Sequence, residues 1–190
     1  MDLIPTANQP IGPFFHFALT PDNAAGRMAG ADARGERISL TVCVLDRDGN
    51  PVTNAMIELW QADAGGKYKH PADTQEKTPD PGFHGFGRLA TDKQGLCVFT
   101  TVKPGRVPFW RGALRQAPHI NVSVYAPGLQ KRVVTRIYFA DDPANDSDRV
   151  LALAPEARRP TLLAREEART GHWHFDLHLT GPCETVFFDV

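Results

Sequence analysis

Short segments in which apolar and polar residues alternate, each followed by turn-forming residues, dominate this chain. Successive side chains of a β-strand point to opposite faces, so such a segment forms a strand with one face in a core. In RISLTVCVLD (37–46) the alternation gives one apolar face: Ile38, Leu40, Val42 and Val44. The stretch DRDGNPV that overlaps its end contains the Asp, Gly, Asn and Pro residues typical of a turn. Residues 37–46 are therefore predicted to form a strand.

Six further segments of similar character predict strands: 55–62, 95–102, 119–126, 131–140, 171–181 and 184–190. One short helix is predicted over 160–168, because Pro160 suits a first helical turn and good helix formers follow it. The Gly-, Pro- and Asp-rich stretches 28–36 and 63–87 are predicted to be loops. Many short strands between turns indicate an all-β fold: an antiparallel β-sandwich with long loops and one or two short helices.

Length and composition narrow the classes of function. Residues 1–190 fit a single domain with a sizeable core. The 21 basic and 22 acidic residues leave a formal net charge of −1, which indicates no nucleic acid and no anionic membrane as partner. No apolar run approaches the ~20 residues of a membrane span, and MDLIPTANQP lacks the pattern of a secretory signal. Cys43, Cys97 and Cys183 are few and widely spaced, which is typical of reduced thiols in a cytoplasmic protein.

The segment HWHFDLH is the first candidate for metal chemistry. One face of this predicted strand would carry four polar side chains: His172, His174, Asp176 and His178. Imidazoles at i and i+2 can bind zinc or copper. The simpler interpretation is a half-exposed strand with apolar residues inward and polar residues outward. We favour the simpler interpretation, because the alternation accounts for every residue without a metal.

The segment APHINVSVYAPG (117–128) is the second candidate. His119 and Asn121 are two positions apart on a predicted strand and so share a face, about 7 Å apart. Two histidines at these positions would supply half of a metal site, but the second residue is asparagine. Tyr68, in the Gly-rich loop, is another candidate ligand. Taken singly, these residues are more typical of ordinary packing than of metal binding.

Five segments taken in order resemble the intradiol ring-cleavage dioxygenases: IELWQADAGGKY, GRLATDKQGLCVFTTVKPG, APHINVSVYA, RIYFADD and ETVFFD. The resemblance runs from about QPIGPFF to the C-terminus and so covers nearly the whole chain. It implies a β-sandwich and a two-chain enzyme, in which a beta subunit holds a non-haem ferric ion, Fe(3+), through two tyrosines and two histidines. It also implies a catechol-type substrate that binds the metal through both hydroxyl oxygens. Reaction with O2 then opens the ring between the two hydroxyl-bearing carbons.

The resemblance carries over to only part of the metal site. Tyr68 matches the first ligand tyrosine, and His119 matches the first ligand histidine. Val107 stands where the second tyrosine is expected, and Asn121 stands where the second histidine is expected. The resemblance therefore implies four vestigial ligand positions, no catalytic residue and no metal in this chain. Gln116 takes the place of a family arginine, and Arg115 lies one position away.

The segment IGPFFHF implies a contribution to the substrate pocket. Gly12 and Pro13 match a family motif whose third residue is tyrosine, and here that residue is Phe14. An aromatic side chain at this position offers a flat wall to an aromatic substrate. Residues 1–20 are expected to form an N-terminal arm that docks on the partner subunit.

A second departure from the family concerns the substrate's carboxylate. Pro127 stands where the family has an arginine that favours this carboxylate, and Lys131 or Arg132 are the nearby candidates to replace its charge. A planar dihydroxybenzoate nevertheless remains the expected substrate.

The expected function is that of an alpha, non-iron-binding subunit, inactive alone and active with a beta subunit on a small aromatic acid and O2. Two alternatives remain open at this point. One is a self-sufficient dioxygenase with an altered metal site, built on the histidines of HWHFDLH. The other is a non-catalytic binding module with the same sandwich fold.

Overall fold

The computed structural model describes residues 11–12, 14–109 and 114–189. Eight strands lie within these ranges: β1 Arg37–Leu45, β2 Met56–Trp60, β3 Phe86–Ala90, β4 Leu96–Val102, β5 His119–Tyr125, β6 Val133–Phe139, β7 Leu163–Glu166 and β8 His172–His178. The helical elements in the same ranges are short. They are one α-helix, α1 Phe15–Leu19, and four 3-10 helices, Ala24–Gly26, Pro143–Ser147, Leu151–Leu153 and Glu156–Leu162. The all-β class and the strand at 37–46 are confirmed.

The eight strands form one curled sheet in the order β3-β2-β5-β6-β7-β8-β1-β4. The short strand β7 links the two halves, because it pairs with β6 on one side and with β8 on the other. Leu40 of β1 and Phe175 of β8 pack in the same core as Leu59 of β2 and Ile120 of β5. The edge strands β3 and β4 also come into contact. The two halves therefore face each other across one apolar core, as in a sandwich.

The sheet is mixed rather than fully antiparallel, which corrects that part of the prediction. Strands β1 and β8 run parallel, with Leu40 opposite Trp173, and β6 and β7 also run parallel. The other five strand pairings are antiparallel. Parallel neighbours need a long connection, and β1 and β8 are separated by more than half of the chain. Local alternation cannot reveal such a pairing.

Three local predictions were wrong. The helix predicted over 160–168 is the end of a 3-10 helix followed by strand β7, because pairing with β6 and β8 outweighs the helix propensity of the segment. The predicted strand 184–190 is no strand over its described residues, although Phe188 makes one isolated bridge to Val134. Strand β3 begins at Phe86, inside the loop predicted for 63–87.

The described ranges contain no helix that is long and apolar enough to cross a membrane. The three cysteines have no disulfide partner. Burial is the main cause that raises the pKa of the Cys97 thiol, which makes this side chain an inert member of the core.

Candidate functional site

Strand β5 presents His119 and Asn121 on one face, as its alternation predicts. The His119 ring is only 3% exposed, and its Nδ1 donates a hydrogen bond to the Ala117 carbonyl oxygen at 2.8 Å. Burial, followed by the positive charge of Arg136, lowers the pKa of His119 to about 4. The ring is therefore neutral at neutral pH, and Nε2 is left as a hydrogen-bond acceptor.

The loop that follows β2 places Tyr68 beside His119. The Asp63 carboxylate accepts hydrogen bonds from the backbone N–H groups of Gly65 and Lys67, each at 2.9 Å. Gly66 has a φ of 74°, and a Cβ atom there would clash with the Arg106 carbonyl. Only glycine suits both the positive φ and the close approach, so the loop can lie directly against the segment that carries Val107.

A buried ion pair fixes the next turn of the same loop. The Lys67 Nζ lies 3.0 Å from Asp73 Oδ1, and the two side chains are 7% and 8% exposed. Lys67 also donates to the backbone carbonyls of Asp73 and Gln75. The other carboxylate oxygen of Asp73 accepts a hydrogen bond from the Tyr68 backbone N–H at 2.8 Å. The pair therefore holds the backbone at Tyr68.

Three polar side chains, Tyr68, His119 and Asn121, form what we call the polar cluster. The Asn121 amide donates to the Tyr68 hydroxyl oxygen at 3.2 Å and to the Trp60 carbonyl at 3.2 Å. The Tyr68 hydroxyl lies 3.5 Å from Nε2 of His119, to which it donates at the outer limit of hydrogen-bond distance. Burial is the largest cause that raises the pKa of Tyr68. The cluster therefore holds a neutral phenol and a neutral imidazole.

A cavity of about 350 Å³, here called the aromatic pocket, opens beside the polar cluster. Its wall includes Trp60, Tyr68, Val107, Pro108 and Gln116. The Trp60 and Tyr68 rings are stacked, with centroids 5.9 Å apart and planes inclined by 14°. The structure thus brings together all four positions that the resemblance had linked, although they come from three distant segments of the chain.

Arg136 is the residue of this site that sequence reasoning missed. It lies on β6 directly opposite Asn121, and its Nη1 donates to Oε1 of Gln116 at 2.7 Å. Arg115, which the sequence suggested as a nearby cation, instead directs its guanidinium to the Arg106 carbonyl. Only the register between β5 and β6 could have identified Arg136, and that register is a tertiary feature.

The side chains present do not fit the ferric ion that the family implies. Val107 is 4% exposed and offers no donor atom. Asn121 directs its amide N–H group, which cannot bind a cation, toward the Tyr68 hydroxyl. Tyr68 and His119 are left as two neutral side chains, and two neutral donors are a poor set for a hard trivalent ion.

The HWHFDLH candidate, strand β8, has the simple alternation that we favoured. Trp173, Phe175 and Leu177 are buried, while the polar face is partly or fully exposed. His174 lies 2.9 Å from Asp176 and 3.6 Å from Glu167. In the ranges that the structure describes, no three His, Cys, Asp or Glu side chains are grouped so as to hold a metal ion.

The described part of the N-terminal arm, residues 11–12 and 14–20, contributes nothing to the wall of the aromatic pocket. Gly12 is exposed, Phe14 is 73% exposed and Phe17 is 80% exposed, and the two phenyl rings stack with centroids 6.2 Å apart. Pro13 and residues 1–10 of the predicted arm lie outside the described residues. Lys131 and Arg132 line a separate cavity of about 190 Å³ at the base of the arm. Residues 14–17 therefore present aromatic surface outward.

Comparison with known proteins identifies the class. The sequence model of a family described as Dioxygenase matches residues 11–181. The dioxygenase domain of a dioxygenase–carbohydrate-binding protein fusion from Streptomyces sp. SirexAA-E superposes with a TM-score of 0.63 at 26% identity, over 94% of this chain and 99% of that one. The chain belongs to the intradiol ring-cleavage dioxygenase family, as its motifs predicted.

Two relatives show which members of the family this chain is similar to in sequence. The protocatechuate 3,4-dioxygenase alpha chain of Burkholderia cepacia is 40% identical, over 97% of each chain. The protocatechuate 3,4-dioxygenase beta chain of Burkholderia cepacia is 36% identical, over 90% of this chain and 74% of its own length. The chain is thus similar in sequence to both kinds of chain, and it matches the alpha chain over nearly the full length of both.

Proposed function

We propose that the chain is the alpha, non-iron-binding subunit of a protocatechuate 3,4-dioxygenase. With a beta subunit it forms the enzyme that cleaves 3,4-dihydroxybenzoate between its hydroxyls with O2, giving 3-carboxy-cis,cis-muconate in aromatic catabolism through the beta-ketoadipate pathway. The observation that carries the proposal is the polar cluster. Two residues of the ligand type, Tyr68 and His119, remain there, and their polar atoms are engaged in hydrogen bonds within the protein. Val107 and Asn121 occupy the other two ligand positions.

The iron of the complex is assigned to the beta subunit. A ferric site needs deprotonated ligands, so binding competes with the protons that the ligands carry. Here burial raises the pKa of the Tyr68 phenol, and the His119 ring already donates and accepts within the protein. Tyr68, Val107, His119 and Asn121 are on this proposal the remnant of a metal site. No step of the reaction passes through them.

The N-terminal arm is assigned to the partner interface and the substrate pocket. Its exposed rings, Phe14 and Phe17, form the kind of apolar surface that marks a site of association. We place Gly12, Pro13 and Phe14 in the wall of the substrate pocket, where the ring of Phe14 packs on the planar substrate. Chains of this kind then form a hetero-oligomer of alpha–beta pairs. The unpaired cysteines are in keeping with a cytoplasmic enzyme.

Co-expression with the gene for the beta subunit tests the proposal. Iron content and O2 consumption with 3,4-dihydroxybenzoate are measured on the purified pair and on this chain alone. We expect iron and activity only in the pair. A lone chain that binds iron and turns over would support the self-sufficient enzyme instead, and a pair without O2 consumption would support the non-catalytic binding module.

A further inference from the structure

Arg136 places a positive charge on the face of the sheet that carries Asn121 of the polar cluster. It faces Asn121 across the strand pair, and directly opposite residues of an antiparallel pair share a face. Gln116, which accepts the hydrogen bond of the guanidinium at 2.7 Å, also donates through its backbone N–H to the Val107 carbonyl at 2.8 Å. Through Gln116, the guanidinium is thus linked by hydrogen bonds to the segment that carries Val107. Arg136 also lies opposite Asn121, a second of the four ligand positions.

The electrostatic effect of Arg136 extends to the residues around it. Burial, followed by this charge, lowers the pKa of His119. Burial raises the pKa of Tyr68 and of Tyr138, and in both cases the charge of Arg136 acts in the opposite direction. None of the ion pairs formed among the described residues involves Arg136. No carboxylate among the described residues therefore pairs directly with it, although the buried Asp148 carboxylate acts on His119 and Tyr138 in the direction opposite to Arg136.

We propose that Arg136 is a fixed cation that takes the place of a metal ion in this chain and excludes ferric ion from the polar cluster. The loss of two ligands is then only half of the change, and restoring those ligands would not restore the metal. The inference rests on the proposed function, because it interprets the four positions as a former ligand set. Its physical basis is Coulomb repulsion between a guanidinium and a trivalent ion in a partly buried site.

The test restores the two missing metal ligands, once with Arg136 in place and once with its charge removed. Both variants are prepared as the complex with the beta subunit. One variant carries Val107→Tyr and Asn121→His, and a second adds Arg136→Gln. Iron per complex and the visible absorption of a ferric phenolate are measured. We expect the first variant to keep the iron content of the unmodified complex. The second should roughly double it and add intensity to the visible band.

Two controls separate charge from shape. In the ligand-restored background, Arg136→Lys keeps the charge and should leave the iron content unchanged. Arg169→Gln, in an exposed turn before β8, removes a charge remote from the cluster and should also leave it unchanged. A third variant, Gln116→Glu, keeps Arg136 in place and sets a carboxylate at the existing 2.7 Å contact, so it should raise iron content even if Arg136→Gln fails to fold.

Full extra iron in the ligand-restored variant with Arg136 intact would overturn the inference. So would the absence of extra iron from both charge-neutralised variants in folded complexes. These outcomes are distinct from a failure of the proposed function, because that failure appears in the unmodified pair as missing iron or missing activity. The inference is instead decided by the difference in iron content between ligand-restored variants with and without the charge of Arg136.

Discussion

The Lys67 ammonium lies 3.0 Å from the Asp73 carboxylate, and the same carboxylate accepts the backbone N–H of Tyr68 at 2.8 Å. Removing one member of a buried pair leaves an uncompensated charge, which costs several kcal/mol. We therefore expect Lys67→Met to lower the free energy of unfolding by about 3 kcal/mol. The melting temperature of the complex should fall by roughly 10 °C.

Lys77→Met is the matched control, since Lys77 lies in the same loop but is exposed. Among the described residues, its side chain donates only to the Gly65 carbonyl. The substitution should change the melting temperature little. Equal losses from the two substitutions would contradict the role given to the buried pair.

The pair should also make stability depend on pH. Burial acts to raise the pKa of Asp73, but hydrogen bonds from Gln75, Tyr68 and Lys67 outweigh it, and the net pKa is lowered. A lowered carboxyl pKa gives stability that is present above the unfolded pKa and is lost as the pH falls through the folded value. Asp73→Asn should therefore reduce the acid sensitivity of melting. An unchanged pH profile would contradict this assignment.

His119 should make a second contribution to acid sensitivity. Its pKa falls from 6.5 to about 4 in the folded protein, so the unfolded chain takes up the proton first. Protonation of His119 does not affect the free energy of unfolding well above pH 6.5. As the pH falls from there to about 4, it lowers the free energy of unfolding by about 3 kcal/mol in all. The stability difference between the wild type and His119→Asn should therefore shrink as the pH is lowered over this range. A difference that stays constant in denaturant titrations would contradict the expectation.

Asn121→Ala and Val107→Ala should leave the iron content of the complex unchanged, because neither residue is a ligand on our proposal. Asn121→Ala removes two hydrogen bonds of the polar cluster and should cost about 1–2 kcal/mol of stability. Val107→Ala leaves a small void and should cost a similar amount. Elemental analysis of the purified complexes is the check. Loss of iron with either variant would show that this chain does hold metal.

Phe14→Ala should raise the KM for 3,4-dihydroxybenzoate in the complex, with little change in the stability of this chain because the ring is 73% exposed. Steady-state O2 consumption measures the effect. Leu153→Ala, which removes an equally exposed apolar side chain from a distant 3-10 helix, is the control. A KM equal to that of the control would remove Phe14 from the substrate pocket.

Sequence periodicity could predict the strands whose two faces differ in polarity, and β1 and β8 illustrate this well. It could not predict β7, where residues with helix propensity are recruited as the short link between two halves of the sheet. The motif resemblance named Tyr68, Val107, His119 and Asn121 as one group, and the fold brings them together. Arg136 could not be predicted as part of the site, because its position depends on the register between β5 and β6. No local sequence pattern determines that register.

The parallel pairing of β1 with β8 has a consequence for how the chain is made. Strand β8 lies between β7 and β1 in the sheet, yet of the eight described strands it is the last to be synthesised. Until residues 172–178 have been synthesised, β1 keeps an unpaired edge that can associate with other chains. Long-range pairing of this kind is slow and exposes apolar surface while it is incomplete. Truncation anywhere before His178 would remove part of an interior strand rather than a dispensable tail.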